Sequence, residues 1–161
     1  MTQHDPALQP IEELAQNVSQ PFEKARAMPK SVYTSEAFVA RELETIFARD
    51  WLCAGRADAL KEPGDYLTMD IAGEPIIVLR DREGKLRAMS NVCRHRMSTL
   101  LEGRGQTRAI VCPYHAWTYN LDGSLRGAPA MGLNESFCKT DVALPQIRCE
   151  EWLGSVSYTH L

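Results

Sequence analysis

Apolar positions divide the chain into a helical lead-in and a strand-rich body. Ile11, Leu14, Ala15 and Val18 form one short helical pattern among Pro6, Pro10, Pro21 and Pro29, which predicts an N-terminal arm over residues 1–34. Ser35 then precedes a stronger pattern. Phe38, Val39, Leu43, Ile46 and Phe47 recur at three-, four- and seven-residue spacing, predicting a leading helix within residues 35–50, capped by Ser35 and packed into a core along that stripe.

After Trp51 the period falls to about two. Strands are predicted over Tyr66–Ile71, Pro75–Arg80, Lys85–Val92, Ala109–Cys112 and Trp117–Asn120, with Ile76–Leu79 apolar enough to be buried on both faces. Pro63-Gly64-Asp65, Ala72-Gly73-Glu74, Asp81-Arg82-Glu83-Gly84 and Asn120-Leu121-Asp122-Gly123 read as turns. The expected fold is mainly β, a small antiparallel sandwich or barrel over residues 51–154, preceded by a helical segment.

Composition narrows the class without changing that picture. With 161 residues, 44% hydrophobic and 24% charged, the chain has the makeup of a globular domain, so disorder and a disulfide miniprotein are excluded. No apolar run approaches the ~20 residues of a membrane helix, and Met1–Pro10 lacks the features of a secretory signal, so a cytoplasmic protein without membrane contact is expected. The net charge of −3 argues against nucleic-acid binding. Between Arg80 and Arg126, however, nine basic side chains face four acidic ones, which suits either a solvated face of charge pairs or a docking surface for an acidic partner.

The chemistry concentrates in two short segments, N-V-C-R-H-R and V-C-P-Y-H-A-W. Cys93 and His95 form C-x-H, and Cys112 and His115 form C-x-x-H after sixteen intervening residues. Each half follows a predicted strand, so two loops can bring two thiolates and two imidazoles together. A zinc site usually draws a Cys pair from one element and a His pair from another. Here each loop offers one of each, which suits two bridged irons, Cys93 and Cys112 on one and His95 and His115 on the other, as in a Rieske centre. A Cys2His2 zinc module and a structural, metal-free set of four residues are the alternatives.

Two ferric ions, two sulfides, two thiolates and two neutral imidazoles sum to zero charge, whereas an all-Cys cluster carries two more negative charges. Electron uptake is correspondingly easier, with potentials of roughly −150 to +300 mV against about −400 mV for plant-type ferredoxins.

On these motifs, together with F-A-R-D-W, D-Y-L-T-M, P-I-I-V-L-R, T-Y and N-L-D-G-S-L, the chain from Tyr33 to Gly154 resembles the N-terminal Rieske domain of ring-hydroxylating oxygenase alpha subunits and of their relatives acting on quaternary ammonium compounds. The resemblance implies a 2Fe-2S cluster on Cys93, His95, Cys112 and His115, with no catalytic residue in this stretch. It implies a mononuclear Fe(II) in a catalytic domain absent here and electrons supplied by a ferredoxin or a flavin or iron-sulfur reductase. The full-length enzyme is then expected to be a dioxygenase or monooxygenase, assembled as a homotrimer or hetero-oligomer. A stand-alone Rieske ferredoxin is the alternative carrier reading. Ser98 and Tyr114 stand where respiratory Rieske proteins carry a disulfide, so a low potential is expected. Family members often have Gly at the positions of Met97 and Ala116.

The remaining features carry less. Trp117 and Tyr119 are expected as core aromatics or as a shield and hydrogen-bond donor to the cluster. Arg94 and Arg96 flank the first His and could tune the cluster or meet a partner. Cys53, Cys138 and Cys149 are expected to be buried thiols, and Gly103-Arg104-Gly105 a loop. His4 and His160 lack partners in sequence. Residues 155–161 are expected to be a truncated end that need not be native.

Overall fold

The computed structural model describes residues 6–159 and divides the chain into two compact units, Met1–Arg49 and Asp50–Leu161. His4, His160 and Leu161 lie outside the described residues. No helix among the described residues is long and apolar enough to cross a membrane.

In the first unit, α1 (Leu8–Val18) is followed by α2 (Lys30–Thr34) and α3 (Glu36–Glu42). The Ser31 hydroxyl donates to the Glu13 carboxylate, tying α2 to α1 and lowering the pKa of that carboxyl. Ser35 caps α3 as expected, its Oγ accepting from the Phe38 N–H at 3.2 Å. The stripe beyond the cap departs from expectation. No residue of α3 is buried, and Val39 and Ile46 remain 43% and 44% exposed. The chain widens into a π-turn over Leu43–Phe47, with the Ala48 N–H reaching the Leu43 carbonyl, and a π-turn breaks the 3.6-residue period on which the stripe was read. Three short helices also offer too little apolar surface to enclose the stripe.

The second unit is built from antiparallel strands. These are β1 (Leu52–Arg56), β2 (Asp65–Ile71), β3 (Glu74–Arg80), β4 (Leu86–Ser90), β5 (Arg104–Gln106), β6 (Ile110–Val111), β7 (Thr118–Tyr119), β8 (Leu125–Gly127), β9 (Gln146–Trp152) and β10 (Ser155–Thr159). A seven-stranded sheet runs β1-β10-β9-β4-β3-β2-β5, and a three-stranded sheet runs β6-β7-β8. The five predicted strands all form, and the fold is the expected mainly β, antiparallel architecture. Gly103-Arg104-Gly105, expected as a loop, instead contributes to edge strand β5, paired with β2. Residues 155–159, set apart as an end segment in the sequence, pair with both β1 and β9, so the sheet extends past Gly154.

Strand β3 explains how one sheet supports two cores. Ile77 and Leu79 join Met89, Cys93, Ile110, Cys112, Trp117 and Tyr119 in one cluster, while Ile76 and Val78 join Leu67 and Ala88 in another. All four β3 side chains are fully buried, as their continuous apolar run predicts, and each contributes roughly 1.5–3 kcal/mol. The predicted turns are real. At Gly64, φ is +92°, and a Cβ would lie 2.1 Å from the Thr107 carbonyl oxygen, so glycine is required there. Asp81, buried at the β3–β4 turn, accepts from the Glu83 and Lys85 N–H groups and pairs with Arg87 at 2.6 Å. Its burial raises the carboxyl's pKa, but these bonds outweigh it and hold the group below its usual range.

Candidate metal centre

Two loops of equal length carry the four expected ligands. The first spans Cys93–Ser98 between the bridged residues Val92 and Thr99. The second spans Cys112–Trp117 between the paired residues Val111 and Thr118 of β6 and β7. In each, the Cys N–H donates to the carbonyl of the sixth residue, Ser98 at 2.9 Å or Trp117 at 2.8 Å. The Cys carbonyl in turn accepts from the fifth residue's N–H, Met97 or Ala116, at 3.0 Å. That fifth residue is left-handed in both loops, with φ of 55° at Met97 and 56° at Ala116. The turn for which glycine is the natural choice is therefore made by Met and Ala, at a cost of about 1–2 kcal/mol each. Within matching frames, His95 is the third residue and His115 the fourth.

The side chains sort by type. Cys93 and Cys112 are buried at 0% and 2% exposure, and both belong to the same core cluster. His95 and His115 stand further out, half-buried, with ring centroids 4.8 Å apart and planes at 68°. Both Nδ1 atoms are buried without a hydrogen-bond partner. A buried imidazole nitrogen with no donor or acceptor is costly unless it binds something, so these are the two atoms that a bound metal would satisfy. Among the described residues, no group of three or more His, Cys, Asp or Glu side chains is placed to hold one metal ion. A tetrahedral zinc site needs four converging ligands, whereas an inner Cys pair and an outer His pair fit two adjacent irons.

The surroundings favour the thiolate at Cys112 and the neutral imidazole at His95. Burial raises the Cys112 pKa, but the His115 and Tyr114 N–H groups, with the Cys93 and Ser98 side chains, outweigh it and lower the net value. Burial, then the neighbouring His115 and Arg96, lower that of His95. Tyr119 is fully buried, and its Oη lies 3.3 Å from Cys93 Sγ. The same oxygen accepts from the Arg94 N–H at 3.0 Å, which leaves its own proton free to point at the sulfur. Burial and the Cys93 contact raise the phenol's pKa, keeping it protonated.

Trp117 lies parallel to His95, with centroids 4.8 Å apart and planes at 7°, and packs against Phe137. Tyr114 covers His115 at 3.8 Å. Arg94, Arg96, Met97 and Tyr114 are exposed around the imidazoles. Asn91, not singled out in the sequence, is buried and clamps the first loop. Its Nδ2 donates to the Leu101 carbonyl at 2.8 Å, and its Oδ1 accepts from the Leu101 N–H at 2.9 Å. Its position two residues before Cys93 was the available signal. The three remaining cysteines correct an expectation: Cys53 and Cys138 are exposed and belong to neither core, while Cys149 is only half-buried, packed against the edge of the second core. Burial, followed by the nearby Glu150 charge, pushes the Cys149 thiol up to about 11.

An antiparallel β fold with paired loops offering two Cys and two His in this order defines an iron–sulfur protein of the Rieske class. The Rieske [2Fe-2S] domain family matches residues 50–141, and the chain belongs to that family, whose cofactor is a 2Fe-2S cluster. It is 39% identical to the carnitine monooxygenase oxygenase subunit of Acinetobacter pittii (strain PHEA-2), over 91% of this chain and 40% of that protein. It is 40% identical to the chloroplastic choline monooxygenase of Spinacia oleracea, over 82% of this chain and 30% of that protein. Among solved structures, the quaternary ammonium Rieske monooxygenase CntA with L-carnitine aligns with a TM-score of 0.77 at 41% identity, covering 83% of this chain and 38% of that one. Naphthalene 1,2-dioxygenase aligns at 0.74 and 34% identity, covering 81% and 30%. The chain thus spans about 30–40% of the length of these proteins.

Proposed function

We propose that Cys93 and Cys112 hold the inner iron of a Rieske 2Fe-2S cluster, and that His95 and His115 hold the outer iron through Nδ1. The bound group supplies one-electron transfer. The observation that carries this reading is the pair of buried, partnerless Nδ1 atoms outside a pair of buried thiols. In a longer protein, the domain would receive electrons from a ferredoxin or a flavin or iron-sulfur reductase. The acceptor would be a mononuclear iron site in a catalytic domain of an oxygenase. The identities to carnitine and choline monooxygenases favour a quaternary ammonium substrate over an aromatic one and favour an oxygenase over a stand-alone ferredoxin. The exposed Arg94 and Arg96, beside Met97 and Tyr114, suit a partner with an acidic rim. The expected setting is cytoplasmic, with the full-length protein a homotrimer or hetero-oligomer.

The test is to produce the chain with iron and sulfide supplied. The expected product is red-brown, with about two irons and two sulfides per chain, and its potential lies near the low end of the Rieske range. A colourless, zinc-containing, sulfide-free protein would overturn the cluster. A potential above about +100 mV would overturn the low-potential expectation.

A further inference from the structure

We propose that Trp117 is a positioning residue that fixes the ring plane of His95, so that a side chain of the second loop sets the geometry of a ligand in the first. The proposal rests on the cluster assignment above. The last side-chain torsion of histidine is broad, so its ring plane is soft until something holds it. Metal-bound imidazoles are usually oriented by hydrogen bonds or by the packing around them. Nδ1 is the atom assigned to the iron, and the contact along the face of the His95 ring is a parallel indole at 4.8 Å and 7°.

Trp117 is itself held on two sides. Its carbonyl accepts from the Cys112 N–H at 2.8 Å, and its ring meets Phe137 at 5.6 Å in a site only 4% exposed. The brace therefore runs from one ligand's backbone, through the indole, to a ligand of the opposite loop. His115 lacks this support. The ring over it belongs to Tyr114, its immediate neighbour in the same loop, which is 58% exposed. The two imidazoles should thus respond differently to loss of the indole.

The experiment compares Trp117→Phe and Trp117→Leu with the parent in the reduced, cluster-loaded chain. Pulsed EPR reads the nitrogen couplings of the two histidines separately, alongside iron content and potential. Trp117→Phe is expected to retain the parental signature. Trp117→Leu is expected to alter one histidine's coupling and leave the other in place, with a three- to tenfold change in the electron-uptake equilibrium, about 30–60 mV for a one-electron couple. Loss of the cluster from Trp117→Leu alone also supports the brace. Any outcome in which Phe and Leu behave alike overturns it, whether both match the parent, both shift or both lose the cluster; so does an outcome in which Phe departs from the parent while Leu matches it. A parent chain that takes up no cluster defeats the cluster assignment instead. The stack is then tested in the metal-free chain, where His95 ring protons must lie upfield of their Trp117→Leu positions.

Discussion

The first ligand loop and the second close through the same two backbone hydrogen bonds and turn through the same left-handed fifth residue. What holds them differs. The second is the tip of the β6–β7 hairpin and is continuous with a ladder on both sides. The first has only the Val92–Thr99 bridge beside it and relies on the buried Asn91 side chain to lock its returning chain. One backbone solution can therefore be stabilised by a strand pair or by a single amide, and the second route concentrates the risk in one residue.

The largest expected effect treats the loops alike. His95→Ala and His115→Ala should each abolish the red-brown chromophore, measured as iron and sulfide per chain, because the proposed outer iron would take both imidazoles as ligands. A chromophore that survives either change intact would mean that the loops do not share the cluster as assigned. Asn91→Ala should separate them. Two buried bonds to Leu101 are lost, and stability should fall by about 2–3 kcal/mol in urea unfolding. An unchanged midpoint would show that the bridge alone suffices. Tyr119→Phe removes the proton directed at Cys93 Sγ without a cavity, and should lower the potential by about 40–60 mV, the equivalent of a hydrogen bond of about 1 kcal/mol. Finally, Met97→Gly and Ala116→Gly should each stabilise the chain by about 1 kcal/mol, since glycine adopts φ near +55° without the Cβ clash. Unequal gains would reveal which frame is more strained.

Much of this was legible in sequence because it depended on local signals. The strand punctuation, the doubly buried run Ile76–Leu79 and the two Cys–His motifs are read directly from residue order. Strand β5 was not, because Arg104-Gly105-Gln106 is exposed throughout and has no alternation to detect; its partner β2 defines it. Strand β8 has only three residues. The stripe on α3 misled because periodicity records which residues could share a face, while burial requires a surface to cover them. Asn91 escaped notice because a polar residue before a motif looks like loop chemistry until Leu101, ten positions later, is placed against it.

The closed main-chain rings around Cys93 and Cys112 bear on how the inorganic group would be held. Each ring is completed by amides and carbonyls alone, with no contribution from the thiols or imidazoles. The groups that hold each turn are therefore separate from the side chains that would receive the group. Replacing a ligand side chain should remove what binds without unmaking the backbone turn that presents it.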